Sequence, residues 1–161
     1  MITAKSVLRE AVESAHGIVS IYVEDLSDAD LAVRAVPGAN PIGWQLGHLI
    51  GGTKMMLAAL GHPGLELPEG FEAAHPREGA GDGPAPFKKA EYMALAQKAK
   101  QASLAAIDAT PDDELGRPSP EHFREFAPTV AKVLLLLGSH WLMHAGQFVP
   151  IRRKLGKPAM F

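Results

Sequence analysis

Val133–Lys154, "VLLLLGSHWLMHAGQFVPIRRK", is the stretch on which the fold turns. Its core stripe reads Val133, Leu137, His140 or Trp141, His144, Gln147 or Phe148, and Ile151, at the three- and four-residue spacing of a helix with one buried face. A helix is predicted from about Thr129 to Lys154, closed by Arg152, Arg153 and Lys154, cations that suit the negative end of the helix dipole. Pro150 lies inside it, so a kink or an early end is expected there, with Gly146 at the carbonyl that the proline ring would strike. The stripe is interrupted by His140 and His144, two imidazoles one turn apart where leucines would otherwise be buried.

Three further segments carry the same periodicity, and nothing reads as strand. One runs from about Thr3, a suitable N-cap, to Asp25, with its stripe at Leu8, Val12, Ala15, Val19, Tyr22, Val23 and Leu26. A second opens at "ANPIGW", where Asn40 can cap and Pro41 suits the first helical position, and stops at Leu60 before Gly61. The third covers about Lys88 to Asp108, with Tyr92, Leu95, Ala96, Ala99, Ala102 and Ala106 on one face. After it, "TPDDEL" and "SPEHF" are two cap-then-proline starts of short helical turns. Four amphipathic helices in one chain of 161 residues predict a single all-α domain over residues 1–161, a four-helix bundle.

Residues 61–86, "GHPGLELPEGFEAAHPREGAGDGPAP", contain eleven Gly or Pro and cannot form a regular element. A linker this long can run the full height of a bundle, since a 20-residue helix spans only about 30 Å. The third helix can then lie parallel to the second, which permits an up-down-down-up order. Loops of this length in compact domains tend to be functional or disordered, and this one could act as a lid.

Composition narrows the function. Apolar residues make up 47% and charged residues 21%, ordinary for a soluble globular domain. The net charge of −2, with no basic cluster beyond Arg152-Arg153-Lys154, gives no footprint for nucleic acid. The absence of cysteine excludes disulfides, thiolate nucleophiles and cysteine zinc sites, and fits the cytoplasm. The charged N-terminal segment does not read as a signal peptide, and "VLLLLG" is too short to cross a membrane.

The chemistry lies in the histidines. His140 and His144, four residues apart on one apolar face, have the spacing by which one helix offers two nitrogens to one metal ion. The bland alternative is a pair of core histidines, each of which then needs its own hydrogen-bond partner in a low-dielectric setting. The sequence "HWLMH" lacks the glutamate of HExxH, so the metalloprotease reading fails. His48, in "GWQLGHLIGG" on the second helix, is the candidate third ligand. It shares a face with Trp44 or Gln45 and with Gly51, Gly52 and Met55. Gly47, Gly51 and Gly52 are each unfavourable in a helix by about 1 kcal/mol against alanine, which close approach of a neighbouring element would offset. If helices two and four are antiparallel, His48 lies about 10 Å from the start of one and His144 about 14 Å from the end of the other, so they can meet.

Of the remaining four, His16 points along the stripe of the first helix as a structural or supporting candidate. His62 and His75 read as solvated loop residues or lid contacts, and His122 as surface. Gln45, one turn before His48, and Gln147, three residues past His144, are candidates to orient the ligands or contact a metal-bound molecule. A solvated or capping role is the alternative for each. The acidic residues of the loop, Glu66, Glu69, Glu72, Glu78 and Asp82, read as a solvated run, so no acid or base stands out.

Taken together, "PIGWQLGHLI" and "HWLMHAGQFVPIRRKLGKP", the latter with an H-x3-H-x-G-Q motif followed by I-R-R-x-L-G, resemble the DinB/YfiT-like superfamily of metal-binding four-helix bundles. The resemblance implies a divalent metal held by His48, His140 and His144 with water in the remaining positions, the up-down-down-up topology and a homodimer. It also implies small-molecule chemistry, since members with known activity include transferases and isomerases that use low-molecular-weight thiols. It does not imply DNA binding. Three neutral imidazoles leave an ion such as zinc, nickel or iron its full charge and open positions. Two readings follow: a metal-dependent hydrolase or low-molecular-weight-thiol transferase, or a non-catalytic metal- or ligand-binding bundle.

Overall fold

The structure, a computed structural model, describes residues 1–160. It contains α1 (Ala4–Glu24), α2 (Ile42–Ala59), α3 (Lys89–Ala109) and α4 (Val130–Lys154), and no strand among the described residues. Short 3-10 turns occupy Asp30–Ala32, Asp112–Glu114 and Glu121–Phe123, the last two at the cap-then-proline starts.

Each helix begins where its local chemistry allows. Thr3 caps α1: its hydroxyl accepts from the Ser6 amide while the Ser6 hydroxyl accepts from the Thr3 amide, which satisfies two of the free donors of the first turn. Thr129 caps α4 by accepting from the Lys132 amide. At α3 the carboxylate of Glu91 reaches back to the Lys88 amide. α2 departs from expectation. Asn40 does not cap it; its Oδ1 accepts from the Ala80 amide of the long loop at 2.9 Å, and the helix begins at Ile42. Gly61, with φ +79°, ends α2 in the left-handed conformation that glycine adopts at least strain. Nor does Pro150 end α4, which continues to Lys154. Gly146 and Pro150 both lie on the exposed side, so the carbonyl left without a partner there meets water.

Contacts along the helices fix the topology. Lys5 and Arg9, at the start of α1, bond Asp108 at the end of α3, while Lys89 at the start of α3 donates to the carbonyls of Glu24 and Leu26. α1 and α3 are therefore antiparallel. Gly138 of α4 lies against Ala11 of α1 and Arg152 of α4 bonds Tyr22, so these two helices run parallel. His62, just past α2, meets Thr110, just past α3, and Gln45 of α2 meets His144 of α4. The order is up-down-down-up, with α1 and α2 on opposite corners.

Two apolar clusters fill the bundle. One centres on Val19, Leu46, Ile50, Tyr92, Trp141 and Phe148, the other on Val12, Leu57, Ile107, Phe123, Leu134 and Leu137. α1 and α4 come close together at Gly138, where an added Cβ would sit 2.6 Å from the Ala11 carbonyl oxygen. Glycine permits that crossing. The guanidinium of Arg152 is fully buried, yet bonds the carbonyls of Tyr22 and Pro158 and the carboxylate of Asp25, so its donors are met.

α2 is buried on nearly every side, including Ile42, Leu46, Leu49, Ile50 and Leu57. A helix apolar all round must be covered all round, and the 61–86 loop provides the last cover. Leu65, Phe71 and His75 of that loop are buried. This corrects the reading of His75 as solvated. Its Nδ1 donates to the Phe71 carbonyl and its Nε2 accepts from the Tyr92 hydroxyl, both at 2.7 Å. The ring fills the space a Cβ at Gly47 would occupy. Burial holds this imidazole below its ordinary pKa and pushes the Tyr92 hydroxyl well above its own, so both stay neutral.

Candidate metal centre

The antiparallel α2 and α4 bring together the three predicted ligands. His48, His140 and His144 each direct one ring nitrogen into a common space, all three within 4.8 Å of one another. His48 Nε2 and His140 Nε2 are 3.3 Å apart. Nitrogen ligands about 2.0–2.1 Å from a tetrahedral ion lie about 3.3 Å apart along an edge, so this pair already has the separation of two ligands on one ion. The group contains no carboxylate and no fourth histidine among the described residues.

Each ring is positioned by the helix beside it. Gly52 of α2 faces the His140 ring, and a Cβ there would lie 3.5 Å from it. Trp44 stacks on His48 with ring centroids 4.9 Å apart and planes within 8°. His144 is oriented through Gln45, whose side chain is buried. The Gln45 amide nitrogen donates to the Asn40 carbonyl at 2.9 Å, which turns its oxygen toward His144 Nδ1, also at 2.9 Å. An oxygen there can only accept, so His144 carries its proton on Nδ1 and presents Nε2 as a lone pair. An acceptor of this kind is what a metal-bound histidine ordinarily has, and Gln45 supplies one to His144. Gln147 is exposed, and among the described residues no hydrogen bond joins it to the triad.

The three rings are neutral near pH 7. Burial lowers His140 to about 4, assisted by His48, and lowers His144 to about 4, assisted by both neighbours. Burial, then the charge of Arg77, lowers His48. Neutral imidazoles are the metal-binding form, so the site is prepared for a cation without first releasing protons.

Trp141, between the two α4 histidines, turns inward. Its Nε1 donates to the Thr53 hydroxyl, which itself donates to the Leu49 carbonyl, tying α4 to α2 below the triad. His16 is buried and packs on the Trp141 indole with ring centroids 4.1 Å apart and planes tilted by 35°, but is not a member of the group. Burial, then Lys100, lowers it to about 4. His62 bonds Thr110 and so caps the far end of the bundle. His122 packs on Phe123 outside the site.

Two neighbours of the site escape sequence reading. Gly47 signalled that something packs closely on α2, but not that it is His75. Trp44 lay on a plausible face with no signal that it stacks on His48. The indole Nε1 of Trp44 donates to the Pro76 carbonyl at 2.9 Å, so the long loop is fastened beside the triad. Lys54 and Glu72 form a further pin at 2.8 Å.

Residues 11–148 match the model of the DinB superfamily, and the chain belongs to that family. The matched range contains all three histidines. Among solved structures, the chain is similar to a conserved protein from Enterococcus faecalis, with 17% identity, a TM-score of 0.77, and coverage of 98% of this chain and 100% of that one. That likeness concerns the fold. No curated protein matches the chain.

Proposed function

We propose that the chain holds one divalent metal ion, zinc, nickel or iron, through His48, His140 and His144 and acts on a small molecule at the ion's open positions. The reaction is hydrolysis or the transfer of a low-molecular-weight thiol. The observation that carries this reading is a ligand group of three neutral imidazoles with no fourth protein ligand among the described residues. A structural metal site is ordinarily closed by four protein ligands, whereas a catalytic one keeps a position for water or substrate.

When bound, such an ion would lower the pKa of a coordinated water or thiol toward neutrality. The residues of the chain do the rest. Gln45 holds His144 in the tautomer that presents Nε2, and the Asn40 carbonyl holds Gln45. Trp44, stacked on His48, restrains that ring, and Gly52 leaves room on α2 for the His140 ring. Thr53 and Trp141 fix the spacing of the two helices that bear the ligands.

Cobalt substitution tests this. The visible absorption of the cobalt-loaded protein should change on adding azide or a small thiol, as an exogenous donor enters the coordination sphere. A spectrum that none of these donors perturbs would favour the non-catalytic metal-binding bundle.

A further inference from the structure

A cavity of about 300 Å³ lies at the end of the bundle away from the three histidines. It is lined from the ends of α2 and α3, the segment between α3 and α4, and the start of α4, with Leu60, Pro111, Pro118 and Val130 among its walls. Between His48 and Leu60 the α2 helix rises about 18 Å, so this cavity and the metal centre do not share residues. His62 Nε2 and the Thr110 hydroxyl, both on the lining, meet at 3.2 Å and join the two helix ends.

Ser119 lines the same cavity. Its backbone is fully used: the amide donates to the Pro128 carbonyl at 3.0 Å, and the carbonyl accepts from Arg124 Nε at 2.9 Å. The sequence "SPEHF" reads as a cap before a helical turn, yet no side chain caps the Glu121–Phe123 turn. The Ser119 hydroxyl is buried and meets no hydrogen-bond partner in the chain. Native structures rarely bury a hydroxyl unpaired, because the desolvation cost is not recovered.

Arg124 supplies the second unmatched group. Its Nε bond to Ser119 fixes the guanidinium beside that residue, and its two terminal amino groups bond nothing else among the described residues. Arg117, the other cation on the lining, is paired with Glu114 at 2.7 Å. Two arginines and one glutamate leave the lining one positive charge in excess. A planar fork of N–H donors next to a free hydroxyl suits a carboxylate, and a single excess charge suits a monoanion. The apolar walls suit carbon, and a cavity of roughly half this volume accommodates benzene.

We infer that this cavity binds a small monocarboxylate with an apolar body, the carboxylate on Arg124 and Ser119 and the hydrocarbon against Leu60, Pro111, Pro118 and Val130. The site is independent of the metal centre and of the reaction proposed there.

The probes are benzoate and benzamide, one ring with and without the charge, titrated calorimetrically into the full chain in the presence of a chelator, so that no carboxylate is held by metal. Wild type should bind benzoate with a Kd of about 1 mM, the scale for a ligand of this size, and benzamide about tenfold more weakly. Arg124→Ala should weaken benzoate by about tenfold and Ser119→Ala by about fivefold, while His48→Ala should bind it as wild type does. Ser119→Ala keeps both backbone bonds and removes only the unpaired hydroxyl, so without ligand it should unfold at the same temperature as wild type or higher. That result separates a lost ligand contact from a damaged fold. No benzoate binding to wild type at about 20 mM, undiminished affinity in both Arg124→Ala and Ser119→Ala, or binding that requires metal and fails in His48→Ala would overturn the assignment.

Discussion

Gly47 and Gly51 lie one turn apart in α2, and replacing each by alanine should change stability in opposite directions. Alanine is favoured over glycine in a helix interior by about 1 kcal/mol. At Gly51 an added Cβ meets nothing within 4 Å, so Gly51→Ala should gain up to about 1 kcal/mol. At Gly47 the Cβ would fall within the His75 ring, which must leave. Its departure breaks the bonds to the Phe71 carbonyl and the Tyr92 hydroxyl. Two hydrogen bonds are worth about 1 kcal/mol each, and a buried hydroxyl left unpaired adds about 1–3 kcal/mol. Set against the propensity gain of about 1 kcal/mol, Gly47→Ala should lose about 2–4 kcal/mol net. Urea unfolding with a chelator present, so that metal does not contribute, measures both. A Gly47→Ala protein as stable as wild type would show that the loop does not pack on α2 through His75.

Other consequences are equally direct. His16, with its pKa lowered to about 4, is protonated in the unfolded chain before the folded one. Its contribution is complete above about pH 6.5 and lost as pH falls to 4, about 3 kcal/mol in all. His16→Phe should lose less stability than wild type over that interval in chelator; parallel curves would refute the burial argument. Gln45→Leu removes the acceptor for His144 Nδ1 and should weaken metal affinity about 10- to 100-fold without abolishing binding, as competition with a chromophoric chelator would reveal. Gly138→Ala places a Cβ against the α1 backbone, which cannot yield as a side chain would, and should lower stability by about 1–3 kcal/mol. No loss in thermal or urea unfolding would mean that α1 and α4 do not cross there.

What could be read from the sequence, and what could not, follows from periodicity. The stripes of α1 and α4, the Thr3 cap and the start of α4 near Thr129 are local, and local rules placed them within a residue or two. The triad was legible for the same reason: His140 and His144 belong to one helical face, and His48 to a helix whose height relative to α4 could be worked out from length alone. Loop 61–86 has no period, so nothing in it distinguished buried His75 from exposed Arg77. Asn40 looked like a cap because caps are local; it serves instead a residue forty positions away. The helix passing through Pro150 was likewise decided by solvent on one side, which the proline itself does not encode.

The central claim concerns one ion and three side chains. Elemental analysis of the purified protein after incubation with zinc, nickel or iron, beside His48→Ala, His140→Ala and His144→Ala, tests it most directly. Near one equivalent of metal per chain in the wild type and little in each variant is the expected result. Undiminished metal in all three variants, or none in the wild type with any of the ions, would contradict it.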